Sequence, residues 1–392
     1  MIEKPQNGIK MLTAYTEEVD ELEDGISELL GQIDLGSLRK NSVGMITCHL
    51  DFINSGIISE LSRKLPFEFI GMTTLASANK YGQSMYAFSL TVLTSDDVVF
   101  ETCMSASLDA GNYKEEIKAV YENTVKKLPA QPSVIFSFFP FSKEVDGALL
   151  HKSLDEICGG IPFWGSLGCN VDGSMENCAI FHNDKVNKAG LAMILVQGPI
   201  DPEFVDVSLP SENIEKTRGQ ITKSEGSILR EINGIPAQKY LETLGIIVSE
   251  GAPIITPLMV YYEGNTEPVA LGMYAVLEDG SFLCGGEMPV GAFIAIGEIT
   301  SNGILSSSEE GINRILNSKK RNGVLFLPCI SRYLMLAPNQ SDELALIISK
   351  MENGKVMPFM IGYSGGELCP VRNEKGILQN RFHNYTFTAC VF

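Results

Sequence analysis

The sequence has few positive charges, no long apolar run and no paired-cysteine motif. Lys and Arg number 30 against 48 Asp and Glu, giving a formal net charge of -18. Nucleic acids and anionic membrane surfaces attract clustered Lys and Arg, so this balance argues against nucleic acid as a partner and against membrane docking. We interpret the acidic excess as a property of a solvated surface.

The nine cysteines are an odd number and contain no CxxC spacing. The first residues have no apolar core of the kind found in signal peptides. The longest apolar runs, such as residues 191–196, are much shorter than the ~20 residues that a membrane-spanning helix needs. We therefore expect a cytoplasmic protein with reduced thiols and without membrane insertion.

Sequence signatures of cofactor-dependent enzymes are also missing. There is no P-loop, dinucleotide fingerprint, serine nucleophile elbow or HExxH motif. One set of residues has a metal-ligating composition, but its spacing is too open for a zinc knuckle: Cys158, Cys169, Cys178 and His182. We predict neither a cofactor nor a metal ion.

The chain does contain clear helix and strand patterns. Its 392 residues, 44% of them hydrophobic, are typical of two or three globular domains. Helical spacing of apolar residues predicts helices over 18–33, 55–65, 113–128 and 342–351. We expect Ser142, Ser308 and Ser341 to cap helices. Apolar runs such as 42–50 and 133–139 predict strands.

A repeated pattern organises these elements. Residues 66–93, 162–196 and 358–392 each run from Pro-Phe through a glycine turn to an apolar strand. Residues 43 and 134, which start equivalent strands, are 91 positions apart, and the turn glycines at 71 and 165 are 94 apart. The predicted unit is helix-strand-helix-strand-strand-strand.

These patterns predict an α/β fold of repeated units with mixed sheets, plus a β-rich segment joining the second and third units. The predicted domains are 15–198, with repeats at about 15–110 and 111–198, and 199–392, with the β-rich part at 199–307 and a third repeat at 308–392. Within the β-rich part, Asn233-Gly234 indicates a tight turn.

The glycine turns are the candidate ligand site. A glycine-rich turn after a strand presents backbone N–H groups that bind anions. An amino-acid ligand needs such donors for its carboxylate and an anion for its ammonium, and Glu367 would supply the anion. The alternative is that the glycines only permit tight turns. The candidate contacts are Gly71, Thr73, Thr74, Gly165, Ser166, Asn170, Tyr363, Gly366, Glu367 and Asn384.

Two other functions remain open from the residues alone. One is an enzyme with a catalytic Cys or Glu at the same turns, for example Cys169 activated by His182 as a nucleophile. The other is a scaffold whose turns bind nothing. The pairs His182-Asn183 and His383-Asn384 recur at equivalent positions of the predicted repeats. This favours a shared structural role, such as an asparagine side chain that binds backbone groups, over a ligand contact.

Four stretches resemble the FIST family, sensory domains of signal-transduction proteins. Their order and spacing carry the resemblance, which spans an N-terminal region near 40–225 and a C-terminal region near 226–375. They read FIGMTT (69–74), FWGSLGCN (163–170), the ING-P-A and YLETLG pattern (228–244), and the PC, GYSGGE and HNYT order (326–392).

The resemblance implies a cytosolic sensor of a small molecule such as an amino acid, more a binding protein than an enzyme. Two acidic positions of the family pattern are lost here, at Ser77 and Asn170, whereas Glu367 is kept. Family members are often joined to kinase, cyclase or chemoreceptor modules. We expect the output of this chain to go to a separate signalling protein or to a second copy of itself.

Overall fold

The computed structural model describes residues 8–142, 145–170, 177–248, 255–265, 267–354 and 357–392. Within these residues the chain forms three six-stranded sheets and one eight-stranded sheet, together with eight α-helices. Both parallel and antiparallel pairs occur. The predicted α/β class with mixed sheets is confirmed.

The first part of the chain begins with a strand that the sequence analysis does not assign. Its elements are β1 (Ile9–Thr16), α1 (Leu22–Gln32), β2 (Asn41–Cys48), α2 (Ile57–Lys64), β3 (Phe69–Thr73), β4 (Ser77–Asn79), β5 (Gly82–Ser84) and β6 (Phe88–Ser95). Helix α2 buries Ile57, Ile58 and Leu61, because residues three or four apart share one side of a helix.

The second part contains the same kinds of element. They are β7 (Val99–Met104), α3 (Tyr113–Val125), β8 (Val134–Pro140), α4 (Gly147–Cys158), β9 (Phe163–Gly168), β10 (Ile180–His182), β11 (Lys185–Asn187) and β12 (Ala192–Gln197). We expected β7 to end the first unit, but it pairs with β12. Asp146, and not Ser142, caps α4, since its Oδ1 accepts from the N–H of Ala148 at 3.0 Å.

The third part opens with one strand and continues into the β-rich segment. Its elements are β13 (Glu203–Val207), β14 (Gly219–Glu225), β15 (Ile228–Ile232), β16 (Ile235–Pro236), α5 (Ala237–Thr243), β17 (Leu258–Tyr261), β18 (Val269–Leu271), β19 (Met273–Val276), β20 (Phe282–Cys284) and β21 (Phe293–Ile296). Asn233 and Gly234, with φ of 53° and 79°, form the predicted tight turn between β15 and β16.

The last part returns to alternating helices and strands. Its elements are α6 (Ser301–Asn317), β22 (Val324–Phe326), α7 (Ile330–Met335), α8 (Asp342–Asn353), β23 (Phe359–Gly362), β24 (Glu367–Arg372), β25 (Leu378–His383) and β26 (Phe387–Val391). Thr300 caps α6, so Ser308 lies inside this helix and not at its start. Ser341 precedes α8 as predicted, but its side chain makes no capping hydrogen bond.

Each six-stranded sheet includes a hairpin from another part of the chain. The strand orders are β1-β6-β2-β3-β10-β11, β7-β12-β8-β9-β24-β25 and β13-β26-β22-β23-β4-β5. The hairpin β10–β11 thus extends β3, β24–β25 extends β9, and β4–β5 extends β23. This cyclic exchange brings the carboxyl ends of β3, β9 and β23 together.

The inner faces of these sheets share one hydrophobic core, while helices cover the outer faces. Ile70, Trp164 and Met360, from β3, β9 and β23, all lie in this core and are fully buried. A position shared by the three strands therefore faces a common interior. The lone tryptophan, Trp164, is therefore a core residue.

The β-rich segment has its own core and enters the chain between β13 and α6. A small apolar cluster joins it to the rest of the protein. It contains Leu209, Met259, Ala270, Ala295 and Tyr385. The division of the chain into domains at residue 198 stays a prediction.

Candidate functional site

The three glycine turns meet in the structure. The N–H of Cys169, in the second turn, donates to the carbonyl oxygen of Thr73 in the first at 3.0 Å. Thr74 Oγ1 donates to the carbonyl oxygen of Tyr363 in the third turn at 2.6 Å. Cys169 Sγ lies 3.2 Å from that same oxygen. The hairpin exchange therefore gathers the predicted contacts at one place.

The turn glycines are required by close packing. A Cβ atom at Gly71 would lie 2.1 Å from the Phe181 ring, and one at Gly165 would lie 1.8 Å from the carbonyl oxygen of Ser137. A Cβ atom at Gly366 would come within 2.7 Å of an aromatic ring of β25. These distances are far below van der Waals contact. Close packing alone therefore explains why glycine occupies these positions, without a ligand.

Backbone N–H groups of the turns already have partners. The N–H of Thr74 donates to Cys48 O at 2.9 Å, and the N–H of Ser364 donates to Pro328 O at 2.9 Å. The N–H of Gly366 donates to Ser364 Oγ at 3.1 Å. A ligand carboxylate would have to displace these bonds to be bound by the turn backbone.

The small polar side chains of the first two turns are buried. Thr73 Oγ1 accepts from the N–H of Ala179 at 3.0 Å. Ser166 Oγ lies 2.7 Å from Ser364 Oγ, which joins the second turn to the third. Asn170 is also buried. These predicted contacts therefore line a packed junction between the turns.

Tyr363 belongs to a fully buried ion-pair network. Its Oη donates to Glu343 Oε2 at 3.2 Å. Arg332 Nε and Ser308 Oγ donate to the other oxygen of Glu343 at 2.8 and 2.6 Å. Removing one partner of a buried ion pair is strongly destabilising. The predicted phenol contact thus has a structural partner in α8.

Glu367 is the one acidic residue among the predicted contacts. It is the first residue of β24, it pairs with Ser166 and His383 on the adjacent strands, and its exposure is 0%. Within the described part of the chain, neither carboxylate oxygen makes a hydrogen bond of good geometry, although three neighbouring donor groups lie close enough to lower its pKa. Because buried polar groups are nearly always hydrogen-bonded, such a group calls for an explanation.

The surroundings of Glu367 favour its protonated form. Burial raises the pKa of Glu367 well above its usual range, and the neighbouring Cys329, Ser364 and backbone of Thr386 oppose this only in part. Burial, followed by the charge of Glu367, raises the pKa of the Cys329 thiol. A neutral carboxyl group can both donate and accept a hydrogen bond.

The carboxyl group belongs to the first residue of one of the three exchanged hairpins. Each exchanged hairpin begins with a residue that pairs with the neighbouring sheet. These residues are Ser77, which pairs with β23, Ile180, which pairs with β3, and Glu367, which pairs with β9. Among these three, only Glu367 is acidic. Among the first residues of the three hairpins, the carboxyl group is therefore found in the third.

Asn384 lies beside this hairpin and holds the β-rich segment. Its Oδ1 accepts from the N–H of Gly272 at 2.9 Å, and its Nδ2 donates to Tyr274 Oη at 3.1 Å. Tyr274 is exposed. A Cβ atom at Gly285 would lie only 2.1 Å from Asn384 Oδ1. Asn384 thus connects the third hairpin to the β-rich segment, and its partner Tyr274 lies at the protein surface.

A second polar contact supports the same interface. Asp146 Oδ2 accepts from Ser227 Oγ at 3.1 Å, and burial raises the pKa of Asp146. Lys152 Nζ pairs with Glu287 Oε1 at 2.5 Å. Helix α4 is therefore fixed to the β-rich segment at its first turns.

The two His-Asn pairs are not in equivalent places. His182 ends the first strand of its hairpin, whereas His383 ends the second strand of another. The two asparagines nevertheless make the same kind of bond. Asn183 Oδ1 accepts from the N–H of Phe69 at 3.0 Å, as Asn384 does from a backbone N–H. The sequence match predicted the kind of contact but not its location.

The structure argues against a thiolate at Cys169. Burial raises the pKa of its thiol, and a protonated thiol is a poor nucleophile. His182 Nε2 lies 2.8 Å from Thr102 Oγ1 and 3.6 Å from Glu68 Oε2. Across the described ranges, no group of three or more His, Cys, Asp and Glu side chains is arranged to hold a metal ion.

Sequence reasoning missed Cys329, Tyr274 and Asp146 as neighbours of the site. Cys329 follows Pro328 in a motif noted for the family resemblance, so a signal for it was present. Tyr274 and Asp146 carry no local signal, because only the folded chain brings α4 and β19 to the third hairpin.

Sequence comparison identifies both parts of the chain. The FIST N domain matches residues 42–235, and the FIST C domain matches residues 236–370. Together they cover most of the sequence, as the resemblance predicted. No match was found among curated proteins. In the part of the chain that the structure describes, no helix is long and apolar enough to cross a membrane.

Solved structures give only distant similarity. A chorismatase aligns with 7% identity and a TM-score of 0.34, covering 98% of this chain and 99% of its own. A cyanuric acid hydrolase aligns with 9% identity and a TM-score of 0.30, covering 74% and 99%. The cyanuric acid hydrolase from A. caulinodans aligns with 8% identity and a TM-score of 0.28, covering 51% and 73%. Values this low carry no argument about function.

Proposed function

Because the chain belongs to the FIST family, whose domains are associated with signal transduction and small-ligand sensing, we propose that it is a sensory protein whose small polar ligand contacts Glu367. The observation that carries this proposal is the fully buried carboxyl group, neither oxygen of which makes a hydrogen bond of good geometry within the described residues. A polar group of a ligand would supply the missing hydrogen bonds, and the folded protein would gain stability on binding.

An amino acid or a similar metabolite fits this chemistry. Its ammonium group would bind the ionised form of Glu367, since an opposite charge nearby favours ionisation. The remaining proposed contacts come from all three turns. They are Gly71, Thr73, Thr74, Gly165, Ser166, Asn170, Tyr363, Gly366 and Asn384.

The proposed output runs through the third hairpin. The backbone of Thr386 lies close enough to Glu367 to affect its pKa, and Asn384, two residues earlier, binds the β-rich segment. A ligand that shifts this short stretch would change how the segment sits on the sheets. A separate cytoplasmic signalling protein, or a second copy of this chain, would read that change.

The first experiment is a thermal-shift screen of amino acids and common metabolites, followed by calorimetry of each hit. We expect Glu367→Gln to weaken a cationic or zwitterionic hit by about 10- to 100-fold, the worth of a hydrogen bond to a charged group. Glu287→Gln is the matched control, because Glu287 also follows two glycines but is partly exposed and pairs with Lys152.

Calorimetry in buffers of different ionisation enthalpy supplies a second measurement. If binding ionises Glu367, about one proton per protein leaves the site near neutral pH, and Glu367→Gln abolishes this release. Equal affinity and equal proton release in wild type and Glu367→Gln would remove Glu367 from the site.

A further inference from the structure

A small cavity lies at the edge of the sheets, apart from the three turns. Its volume is about 200 Å³, and it is lined by residues of β13, α6, the hairpin β24–β25 and the loop after β17. This space holds about seven waters at ~30 Å³ each. None of the contacts proposed for the turns lines it.

Asp206 contributes a carboxylate to the cavity. The residue is half-buried in β13, where its backbone pairs with Thr388 of β26. Across residues 8–142, 145–170, 177–248, 255–265, 267–354 and 357–392, its carboxylate forms no hydrogen bond or ion pair with another residue, and only its own backbone N–H and the charge of Arg314 act on it favourably. Burial raises the pKa of Asp206 to about 6 although the nearby Arg314 lowers it, so the group is mainly ionised at neutral pH.

Asn265 contributes a second polar group of the same kind. Both the oxygen and the nitrogen of its side-chain amide are buried, and neither has a partner within the described residues. Its backbone is fixed, since its N–H donates to Tyr262 O at 3.1 Å and it forms a bridge with Asn373. Such an amide can donate from its nitrogen, which carries two N–H groups, and accept at its oxygen.

Two arginines and a second carboxylate complete the lining. Arg314 is oriented by Glu310 at 2.5 Å and reaches the carbonyl oxygen of Asp206 at 3.4 Å. Arg372 Nη1 donates to Gly376 O at 2.9 Å, which leaves most of its guanidinium donors for other groups. Glu267 lies on the same wall. The cavity is therefore lined by two positively charged side chains and two carboxylates.

We propose that this cavity binds a compact zwitterion, with its anionic group toward Arg372 and its ammonium group toward Asp206, and with Asn265 bonded to either group. A simple anion would be repelled by the two carboxylates, and a simple cation by the two arginines. A molecule that carries both charges gains from both sides. The cavity volume restricts the ligand to the size of a small amino acid or amino sulfonate.

The test compares glycine, acetate and methylammonium as probes of the full chain, by calorimetry and ligand-observed NMR. We expect glycine to bind more tightly than either singly charged probe. Asp206→Asn and Arg372→Gln should each weaken glycine by about tenfold or more. Asp201→Asn is the matched control, because Asp201 is a nearby exposed residue that pairs with Lys320 outside the cavity.

Further variants separate this cavity from the turns. Binding of glycine that survives Glu367→Gln but is weakened by Asn265→Ala supports the cavity, whatever the fate of the proposed sensory site. The proposal is overturned if glycine does not saturate, if acetate binds as tightly as glycine, or if Asp206→Asn binds glycine like wild type. Unchanged circular dichroism of each variant excludes misfolding as the cause.

Discussion

Glu367 makes the stability of the ligand-free protein depend on pH. Burial raises its folded pKa well above the usual range, whereas an unfolded chain has a value of about 4.3. Between these two values the folded state keeps a proton that the unfolded state has released. The free energy of unfolding therefore falls as pH rises through this window, and the full contribution of Glu367 is present only below the unfolded pKa.

We expect Glu367→Gln to remove this fall in the free energy of unfolding with rising pH. Relative to wild type, the variant should gain about 1.4 kcal/mol of unfolding free energy per pH unit above ~4.3, until the folded pKa is reached. Urea unfolding at a series of pH values measures the difference. The same pH profile in both proteins would contradict an elevated pKa at Glu367.

The side chains of the turns were predictable from the sequence, but their partners were not. The Gly-Gly-Glu pattern indicated Glu367, and Glu367 is the predicted residue with unusual chemistry. The partners of Tyr363 could not be foreseen, because Glu343 and Arg332 reach it from α8 and α7. Contacts between distant segments leave no local pattern in a single sequence.

At the scale of elements, the end of the third hairpin packs against the β-rich segment. Tyr385 has a φ of 57°, a rare conformation for a residue with a side chain. Arg332 Nη1 donates to its carbonyl oxygen at 3.1 Å, and its ring packs in the cluster between the two parts. Asn384, on one side of it, binds the β-rich segment, and the backbone of Thr386, on the other side, lies near Glu367.

A double-mutant cycle tests this packing. Gly285→Ala places a methyl group against Asn384 Oδ1, and we expect it to cost about 1–3 kcal/mol of unfolding free energy, as overpacking does. Asn384→Ala removes the main obstacle, so the same Gly285→Ala change should cost less in that background, by about 1 kcal/mol. Urea unfolding measures the four proteins, and hydrogen exchange over residues 269–276 reports the docking.

Strictly additive effects would show that the two residues do not meet. Slower exchange or unchanged stability in Gly285→Ala would also contradict the packing at this interface.

Elements with a periodic pattern were predicted well, and those defined by long-range pairing were not. Helix α2 follows from Ile57, Ile58 and Leu61, and the turn at Asn233-Gly234 follows from its φ requirement. Strand β1 was missed because its alternation is interrupted, and Thr300 was missed as the cap of α6 because several serines follow it.

At the scale of the whole molecule, the exchange of hairpins decides where every candidate residue lies. A repeated sequence indicates repeated units, but it does not state which sheet each hairpin joins. Nothing local in residues 180–187 says that they extend β3. The site could therefore be predicted as a set of turns, and its common location only from the folded chain.

Two buried histidines connect this architecture to acid stability. His151, on α4, packs its ring 5.2 Å from that of Phe163 and 6.3 Å from that of Phe382, which belong to β9 and β25 of the same sheet, on either side of β24. Burial lowers the pKa of His151 to about 3 and that of His383 to about 4. Since an unfolded histidine titrates near ~6.5, stability is present above that pH and is lost as pH falls toward these folded values.

We expect His151→Phe to keep the ring packing while removing one of these two proton-binding groups. Between about pH 6 and 4, its unfolding free energy should fall less steeply than that of wild type, by about 1.4 kcal/mol per pH unit. Urea unfolding followed by circular dichroism gives both slopes. His151→Gln is the control, since it also cannot titrate in this range but loses the aromatic contacts. It should match the slope of His151→Phe at a lower stability throughout, and a wild-type slope in both variants would show that His151 is not buried as a neutral ring.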